Sequence, residues 1–188
     1  MKPAIQSDYP LHQLIGDRWS PRAFADTPVT QETALTLLEA ARWAASANNE
    51  QPWRFAYATR DQADAFRRIF DCLVDRNRTW AVAVPLLVMT FVATRFTKTG
   101  EQNPWVRHDL GLAVGNLTMQ ASTMKLYVHS MAGFSIDKAR EAFALPPEIE
   151  PVTVIAVGYL GDPAQLPEPL ATREGAAQER KTLAELLL

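Results

Sequence analysis

The segment SANNEQPWRF, residues 46–55, joins a helix-like pattern to a strand-like pattern and so sets the order of the elements around it. Upstream, Thr30 is a candidate N-cap for a helix whose apolar residues recur at helical spacing as far as Ala45. Downstream, aromatic residues alternate with other types from Trp53 onward, which predicts a strand with one apolar face. The turn between them holds more hydrogen-bonding side chains than a short connection needs, and it contains no glycine.

Two interpretations of this turn stay open on local grounds. Asparagine is a common residue at the C-terminus of a helix, because it tolerates the left-handed backbone found there. That role accounts for one asparagine, but it leaves Ser46, Asn49 and Gln51 together without a reason. The alternative is a segment whose polar groups serve a ligand.

Further helices and strands alternate along the rest of the chain. Apolar spacing predicts a helix over residues 63–74 and a longer one over residues 106–124. Residues 86–93 (LLVMTFVA) are apolar almost throughout, which predicts a strand covered on both faces. Ser135 is a candidate N-cap for a short helix that runs as far as residue 144, and residues 152–160 are strongly β-prone.

Length and composition bound the class of protein. The 188 residues suit a single domain, 1–188, and the proportions of 47% hydrophobic and 21% charged residues are those of an ordinary globular protein. A net charge of −2 gives no reason to expect nucleic acid or an anionic membrane as a partner. The single cysteine, Cys72, precludes an internal disulfide and fits a reducing compartment. The N-terminal MKPAIQSDYP lacks the apolar core of a signal peptide, so we expect a cytoplasmic protein.

Residues 161–188 differ in character and form a predicted C-terminal arm. The arm is rich in proline and charge and then ends in TLAELLL. The leucines of this ending are costly to leave in water. The arm therefore either folds back on its own domain or contacts another subunit.

Several kinds of active site are absent from the sequence. None of the eight glycines are spaced i, i+2, so the dinucleotide fingerprint and the P-loop are missing. The three histidines, His12, His108 and His129, are far apart, and no spacing of ligands suggests a metal. No nucleophile-elbow motif is present. If the protein is an enzyme, a bound organic cofactor is the simplest source of its chemistry, and we name no catalytic side chain.

Two polar motifs remain as candidates near the ends of the chain. In RWSPR, the side chains of Arg18, Ser20 and Arg22 point the same way if the segment is extended, and could converge on one anion. The alternative is a solvated loop. In QERKTL, Arg180 and Lys181 stand directly before the apolar ending, with plain solvent exposure as the alternative.

Three further features lie in the middle of the chain. In MAGF, Gly133 would allow a planar ligand to approach the backbone closely, or would simply form a turn. Asn77 and Trp80 suggest a helix end followed by an anchoring indole, with a role in binding a ligand as the less favoured alternative. Gly111 and Gly115 lie one helical turn apart, which permits close contact with another helix or mere tolerance within the core.

Taken in order, these motifs resemble the nitroreductase family of FMN-dependent oxidoreductases over nearly the whole chain. RWSPRAF is similar to the family's opening Arg-x-Ser-x-Arg/Lys motif, and AASANNEQPWRF to its Pro-Ser-Ser-x-Asn-x-Gln-Pro-Trp motif. DLGLAVGNLTMQA resembles the family's long central helix, MAGF the segment at the reactive edge of the flavin, and ERKTL the closing basic motif.

The resemblance implies an α+β fold with a central mixed β-sheet flanked by helices, and a homodimer with one FMN at each of two shared sites. The arm would wrap the dimer partner. The residues that would bind FMN on this basis are Arg18, Trp19, Ser20, Arg22, Ser46, Ala47, Asn49, Gln51, Asn77, Met131, Ala132, Gly133, Arg180 and Lys181.

The resemblance also implies a part of the flavin for most of these residues. Arg18, Ser20 and Arg22 would hold phosphate, ribityl and pyrimidine edge, and Arg180 would join the phosphate. Asn77 would meet the polar edge of the ring. The MAG segment would lie beside the ring, with the backbone N–H of Ala132 near N5. Ser46, Ala47 and Asn49 would reach FMN from the partner subunit.

Three residues depart from the family pattern. Ala45 stands where proline is frequent, and Ala47 where a second serine is frequent. Lys125 stands where the family usually ends its helix with glycine. A lysine there must either accept a left-handed backbone, at a cost of about 1 kcal/mol, or move the helix end. We expect FMN binding to survive all three.

The expected reaction is a ping-pong transfer of hydride from NAD(P)H, through FMN, to a nitroaromatic, a quinone or a similar electron-poor acceptor. Trp105 and Phe96 would shape the acceptor pocket or serve as loop anchors. A flavin carrier or sensor without turnover is the rival from another class. A family member that reduces a specific metabolite aldehyde, or consumes flavin itself, is the rival within the class.

Overall fold

The computed structural model describes Ile5 and residues 7–188. Residues 1–4 and 6, part of the N-terminal stretch assessed above, lie outside the described residues. The helices are α1 (Gln13–Asp17), α2 (Gln31–Arg42), α3 (Ala63–Phe70), α4 (Asp75–Ala81), α5 (Val106–Thr123), α6 (Ile136–Ala142), α7 (Leu170–Glu174) and α8 (Leu183–Leu186). The strands are β1 (Trp53–Thr59), β2 (Leu86–Ala93), β3 (Tyr127–Met131) and β4 (Ile149–Gly158).

The strands form one sheet in the order β1-β2-β4-β3, and every neighbouring pair is antiparallel. β2 and β4 occupy its centre. Their register shifts where Phe91 faces Pro151, next to a paired Thr90 and Thr153. Proline has no N–H to donate to the ladder, so an irregularity is expected at this point.

The α+β class is confirmed, but the expectation of a mixed sheet is wrong for the described part of the chain. A parallel strand would need a further extended segment beside the sheet. After β4 ends at Gly158, however, the named elements of the chain are all short helices. The four described strands are therefore all antiparallel.

Helices cover both faces of the sheet. On one face, α2 and α5 pack over alternate residues of the central strands, among them Leu86, Val88 and Ile155. On the other face, residues of α3, α4 and α6 pack over the intervening positions, such as Leu87 and Met89. β2 is buried at all but its last residue, which confirms the strand predicted to be covered on both faces.

Two predicted N-caps are confirmed. The Thr30 side chain accepts a hydrogen bond from the backbone N–H of Thr33 at the start of α2. Ser135 likewise accepts from Lys138 at the start of α6. Both helices end earlier than predicted, at Arg42 and Ala142.

Other predicted boundaries need correction. The helix predicted over residues 63–74 ends earlier, at Phe70, and a separate helix, α4, begins at Asp75. β1 has both faces partly covered, because Ala58 and Thr59 are buried along with Trp53. β3 was not predicted, because its five residues include His129 and Ser130 and carry no clear alternation.

The last turn of α5 has the left-handed lysine anticipated from the sequence. Lys125 adopts φ 60°, and the N–H of Leu126 donates to the carbonyl of Ala121 across the helix end. This is the Schellman arrangement that normally uses glycine. The helix end has therefore not moved, and the lysine bears the strain.

The C-terminal arm begins in close contact with the N-terminal part of the chain. The Gly161 N–H donates to the carbonyl of Ala23, and a Cβ on Gly161 would lie 2.5 Å from the carbonyl carbon of Phe24. Farther on, the leucines of the ending, Leu183, Leu186, Leu187 and Leu188, stay exposed in the single chain. Among the described helices, none is long and apolar enough to cross a membrane.

Candidate functional site

The RWSPR segment runs beside β3 and the middle of α5. Trp19 is buried, and its ring meets that of Tyr127 edge-on with centroids 6.2 Å apart. Arg18 and Ser20 line a groove of about 420 Å³. The opposite wall comes from small residues of α5, including Gly111 and Gly115. A Cβ at either glycine would meet no atom of the described residues, so this side of the helix is open toward that part of the chain.

Two arginines from opposite ends of the chain meet at Gln178, which together with Arg18 lines a second cavity of about 610 Å³. Arg18 Nη2 and Arg180 Nη2 both donate to Oε1 of Gln178, at 3.4 and 3.2 Å. Burial, followed by the nearby charge of Arg180, lowers the pKa of Arg18 from its ordinary value. The adjacent Lys181 is exposed. The structure thus places two guanidinium groups around one neutral oxygen.

Arg22 takes a different course from Arg18 and Ser20. Its side chain is half-buried and is not among the residues that line the groove. Its backbone N–H donates to Oε1 of Glu174 on α7, at 2.6 Å. Of the three side chains expected to converge on one anion, only those of Arg18 and Ser20 line the same groove.

The turn after α2 contains no glycine, and its backbone reverses through non-glycine residues in the left-handed conformation. Asn48, Asn49 and Gln51 have φ of 54°, 55° and 52°. Asparagine visits this region readily, but a glutamine there is uncommon. The Ser46 hydroxyl accepts from the N–H of Gln51 at 2.9 Å and closes the turn. Part of the surplus polarity is therefore used locally, which supports the structural interpretation for Ser46.

Two carboxylates attach this turn to its surroundings. Asp109 in the first turn of α5 is buried, and its Oδ2 accepts from the N–H of Ala47 at 3.2 Å. Glu50 Oε1 accepts from both the hydroxyl and the N–H of Thr97, and these bonds lower the pKa of Glu50. The side chain of Asn49 remains exposed at the surface. The groove of Arg18 and Ser20 contains none of Ser46, Asn49 and Gln51.

The MAG segment, residues 131–133, begins at the last residue of β3 and is held by α4 and its N-cap residue Val74. The carbonyl of Gly133 accepts from the N–H of Val74 at 3.1 Å and from Nδ2 of Asn77 at 3.0 Å. A Cβ on Gly133 would lie 2.6 Å from that same Nδ2. Only glycine therefore fits here without moving its neighbours. Met131 is buried as the last residue of β3, whereas Ala132 is exposed.

Asn77 and Trp80 lie inside α4, so the interpretation of Asn77 as a helix end is wrong. Trp80 is buried and lies against the rings of Phe24 and His129, with centroids 6.2 and 4.8 Å away. The predicted anchoring role of this indole is confirmed. Nδ2 of Asn77 donates a hydrogen bond to the carbonyl of Gly133, which leaves Oδ1 of Asn77 as the side-chain atom that could accept from a ligand.

The two aromatic residues between β2 and α5 differ in exposure. Trp105 immediately precedes α5 and is 56% exposed, which makes the loop-anchor interpretation wrong for this residue. Phe96 is half-buried in a tight loop whose backbone bonds to Glu101 and Gly100.

Sequence reasoning missed Gln178, Glu174 and Asp109. The signal available for Gln178 was its place two residues before the candidate phosphate ligand Arg180. The two carboxylates carry no signal, because their partners are backbone N–H groups distant in sequence. Among Ile5 and residues 7–188, no group of three or more His, Cys, Asp or Glu side chains comes together as a metal site.

Comparison with known proteins identifies the class. The model of the nitroreductase family matches residues 15–159, and the chain belongs to that family. A solved structure described as an oxidoreductase containing FMN superposes with a TM-score of 0.91 at 34% identity, over 97% of this chain and 93% of that one.

Two further relatives agree with this class. A nitroreductase-family structure in complex with FMN from Desulfovibrio desulfuricans gives a TM-score of 0.72 at 27% identity, over 97% of both chains. A Xanthomonas oryzae pv. oryzae protein named for NADH dehydrogenase/NAD(P)H nitroreductase activity is 28% identical over 83% of this chain and 87% of its own length. Together these comparisons support a flavin oxidoreductase.

Proposed function

We propose that the protein is an FMN-dependent oxidoreductase that takes hydride from NAD(P)H and acts as a homodimer. The family match and two FMN-containing relatives support the cofactor, and the name of the Xanthomonas relative supports the nicotinamide. The observation that carries the proposal is the convergence of Arg18 and Arg180 on Gln178 Oε1.

This convergence suits a phosphate monoester. A phosphate carries about 1.5 to 2 negative charges near neutral pH, and guanidinium groups match its geometry with paired N–H donors. Two guanidinium groups held around a neutral amide oxygen repel each other. An anion bound between them would replace this repulsion with attraction to both groups. The hydroxyl of Ser20, in the same groove as Arg18, is placed for the ribityl chain that follows the phosphate.

The remaining binding groups would surround the isoalloxazine ring. The exposed backbone at Ala132 offers an N–H beside the ring, and Gly133 keeps the approach free of a Cβ. Asn77 Oδ1 is an acceptor for a ring N–H. The guanidinium of Arg22 would stabilise the negative charge that reduction places on the pyrimidine edge. The buried side chain of Trp19 would anchor the RWSPR segment to which it belongs.

Bound FMN would supply ping-pong hydride transfer, first from NAD(P)H and then to a nitroaromatic, a quinone or a similar electron-poor acceptor. The side chains of this protein bind and orient, and none is needed as a nucleophile or metal ligand. Trp105 and Phe96 are proposed to shape the space for the acceptor.

The dimer completes the site in this proposal. Ser46, Ala47, Asn49 and Gln51 belong to a turn that lies outside the groove of their own chain. The exposed side of α5 and the exposed leucines of the arm offer apolar surface for a second copy. We infer that the turn reaches the FMN held mainly by the partner, with Ala47 contributing backbone only. Lys181 is proposed to join Arg180 at the phosphate.

The test begins with the purified protein. It is expected to be yellow, and NADH or NADPH without oxygen is expected to bleach it. A colourless protein that cannot take up FMN would overturn the proposal. A yellow protein that neither nicotinamide bleaches would favour a carrier or sensor. If a nicotinamide does bleach the flavin, a screen of electron acceptors with NADH and NADPH would define the substrate.

Truncation tests the arm separately. A chain that ends after Glu179 loses Arg180, Lys181 and the leucine-rich ending. We expect weaker FMN binding and a weaker dimer by light scattering. An intact dimer that is still loaded with FMN would refute the wrapping role of the arm.

A further inference from the structure

Two side chains from distant elements, the half-buried His129 and the buried Glu174, hold the backbone of one short stretch, residues 21–23. His129 on β3 places Nδ1 2.8 Å from the carbonyl oxygen of Pro21. Glu174 on α7 places Oε1 2.6 Å from the N–H of Arg22 and 2.8 Å from the N–H of Ala23. Three consecutive residues of the chain are therefore fixed from outside their own segment.

Glu174 is an unusual residue for the arm. It is 2% exposed, whereas most of the arm around it is exposed. Its second oxygen, Oε2, is buried without a hydrogen-bond partner among the described residues. A buried carboxylate oxygen without a hydrogen-bond partner lowers the stability of the fold. If packing alone mattered, an apolar side chain at this position would be more stable. The position is explained better by what Oε1 does than by packing.

The two hydrogen bonds to Oε1 have a specific geometric effect. A carboxylate that accepts from two successive N–H groups forms charge-assisted bonds, which are short and strong. These bonds fix the backbone at Arg22, and the backbone sets the origin from which the guanidinium extends. A shift of the Arg22 backbone would carry the guanidinium with it.

We propose that Glu174 is a positioning residue that places the Arg22 guanidinium for the flavin and thereby sets the reduction potential of the site. This inference rests on the proposed function, in which Arg22 lies at the pyrimidine edge. It also gives α7 of the arm a role in the site of its own chain, separate from any contact with a partner.

A direct electrostatic effect of Glu174 would have the opposite sign. Removal of a negative charge near the flavin would favour the more negative, reduced state and raise the potential. Loss of positioning removes the stabilising guanidinium and lowers the potential. The sign of the change therefore separates the two roles.

The experiment measures the midpoint potential of bound FMN by anaerobic titration in a set of variants. Arg22→Ala and Glu174→Ala are each expected to lower the ratio of reduced to oxidised flavin about tenfold, or about 30 mV for a two-electron couple. Glu174→Gln keeps an oxygen acceptor and is expected to stay near the wild-type potential. Glu174→Asp keeps the charge but is too short to reach both N–H groups, so it is expected to lower the potential.

The double variant Arg22→Ala/Glu174→Ala tests whether Glu174 acts through Arg22. Its potential is expected to equal that of Arg22→Ala alone, because the two residues share one effect. Glu168→Gln is the matched control, since among the described residues this exposed carboxylate of the arm accepts hydrogen bonds from Thr172 alone. If Glu174→Ala does not fold, Glu174→Asp and Glu174→Gln decide the question.

Several results would overturn the inference alone. One is a normal potential in Glu174→Asp and Glu174→Ala with only a lower melting temperature, which indicates a merely structural role. Others are a raised potential or an additive double variant. A wild-type protein that does not bind FMN would instead overturn the proposed function, so the two failures are distinguishable.

Discussion

Arg18 and Arg180 donate to the same atom, Oε1 of Gln178, from opposite ends of the chain. The arrangement places like charges side by side, and the pKa of Arg18 is lowered by burial and by Arg180. Such a pair contributes little to folding, because repulsion opposes it. It is well suited to an anion that neutralises both groups.

The first prediction concerns this pair. Arg18→Ala is expected to cost about 1.5–3 kcal/mol of FMN binding, the value of a charge-assisted hydrogen bond. Since each 1.36 kcal/mol is a factor of ten, the dissociation constant should rise about 10- to 150-fold. A fluorescence titration of the apoprotein measures it.

Riboflavin supplies the control for this prediction, because it has the same ring and ribityl chain but no phosphate. Its affinity should be nearly the same for the wild type and Arg18→Ala. Arg67→Ala, an exposed arginine of α3, should leave the binding of both flavins unchanged. Equal losses for FMN and riboflavin would remove Arg18 from the phosphate.

Local signals in the sequence predicted much of the fold. The caps at Thr30 and Ser135 and the apolar run of β2 depend on neighbouring residues, so they could be read directly. β3 could not, because its short strand gains its stability from pairing with β4 rather than from its own pattern. The mixed sheet was expected from resemblance, and the described strands do not include a parallel pair.

The candidate site was predictable where its residues form compact motifs. RWSPR and the turn after α2 are such motifs, and their places in the fold follow from the elements beside them. The supports of these motifs were not predictable. Glu174 and Asp109 bind backbone N–H groups far away in sequence, and a backbone group leaves no trace in the residue types.

The second prediction concerns the MAG segment. Gly133→Ala puts a Cβ 2.6 Å from Asn77 Nδ2, so Asn77 must move and lose its bond to the Gly133 carbonyl. Overpacking of this kind costs about 1–3 kcal/mol. Gly175→Ala is the matched control, because a Cβ there meets no described atom and Gly175 does not line the groove. Thermal unfolding should show a lower melting temperature for Gly133→Ala only. Equal melting temperatures for the two variants would show that the space beside Asn77 does not require glycine at position 133.

The third prediction concerns the strained end of α5. Lys125→Gly removes the Cβ that makes φ 60° costly, and should stabilise the apoprotein by about 0.5–1 kcal/mol after the entropy cost of glycine. Lys125→Ala keeps a Cβ and should give no gain. Urea unfolding measures both. A gain in Lys125→Ala as large as that in Lys125→Gly would show that the lysine side chain, rather than the backbone, is responsible.

The last prediction concerns pH and His129. Burial lowers the pKa of His129 below its ordinary value; the nearby charge of Arg22 also lowers it, whereas the carbonyls of Pro21 and Ser20 and the charge of Glu174 oppose the shift. The unfolded chain therefore binds the proton more readily, and stability should fall as pH drops through about 6.5, until the folded protein is protonated as well. His129→Gln should flatten this dependence below about pH 6.5, whereas His108→Gln, at an exposed position of α5, should preserve it. Urea unfolding at a series of pH values measures the slope, and an unchanged slope in His129→Gln would show that another group is responsible.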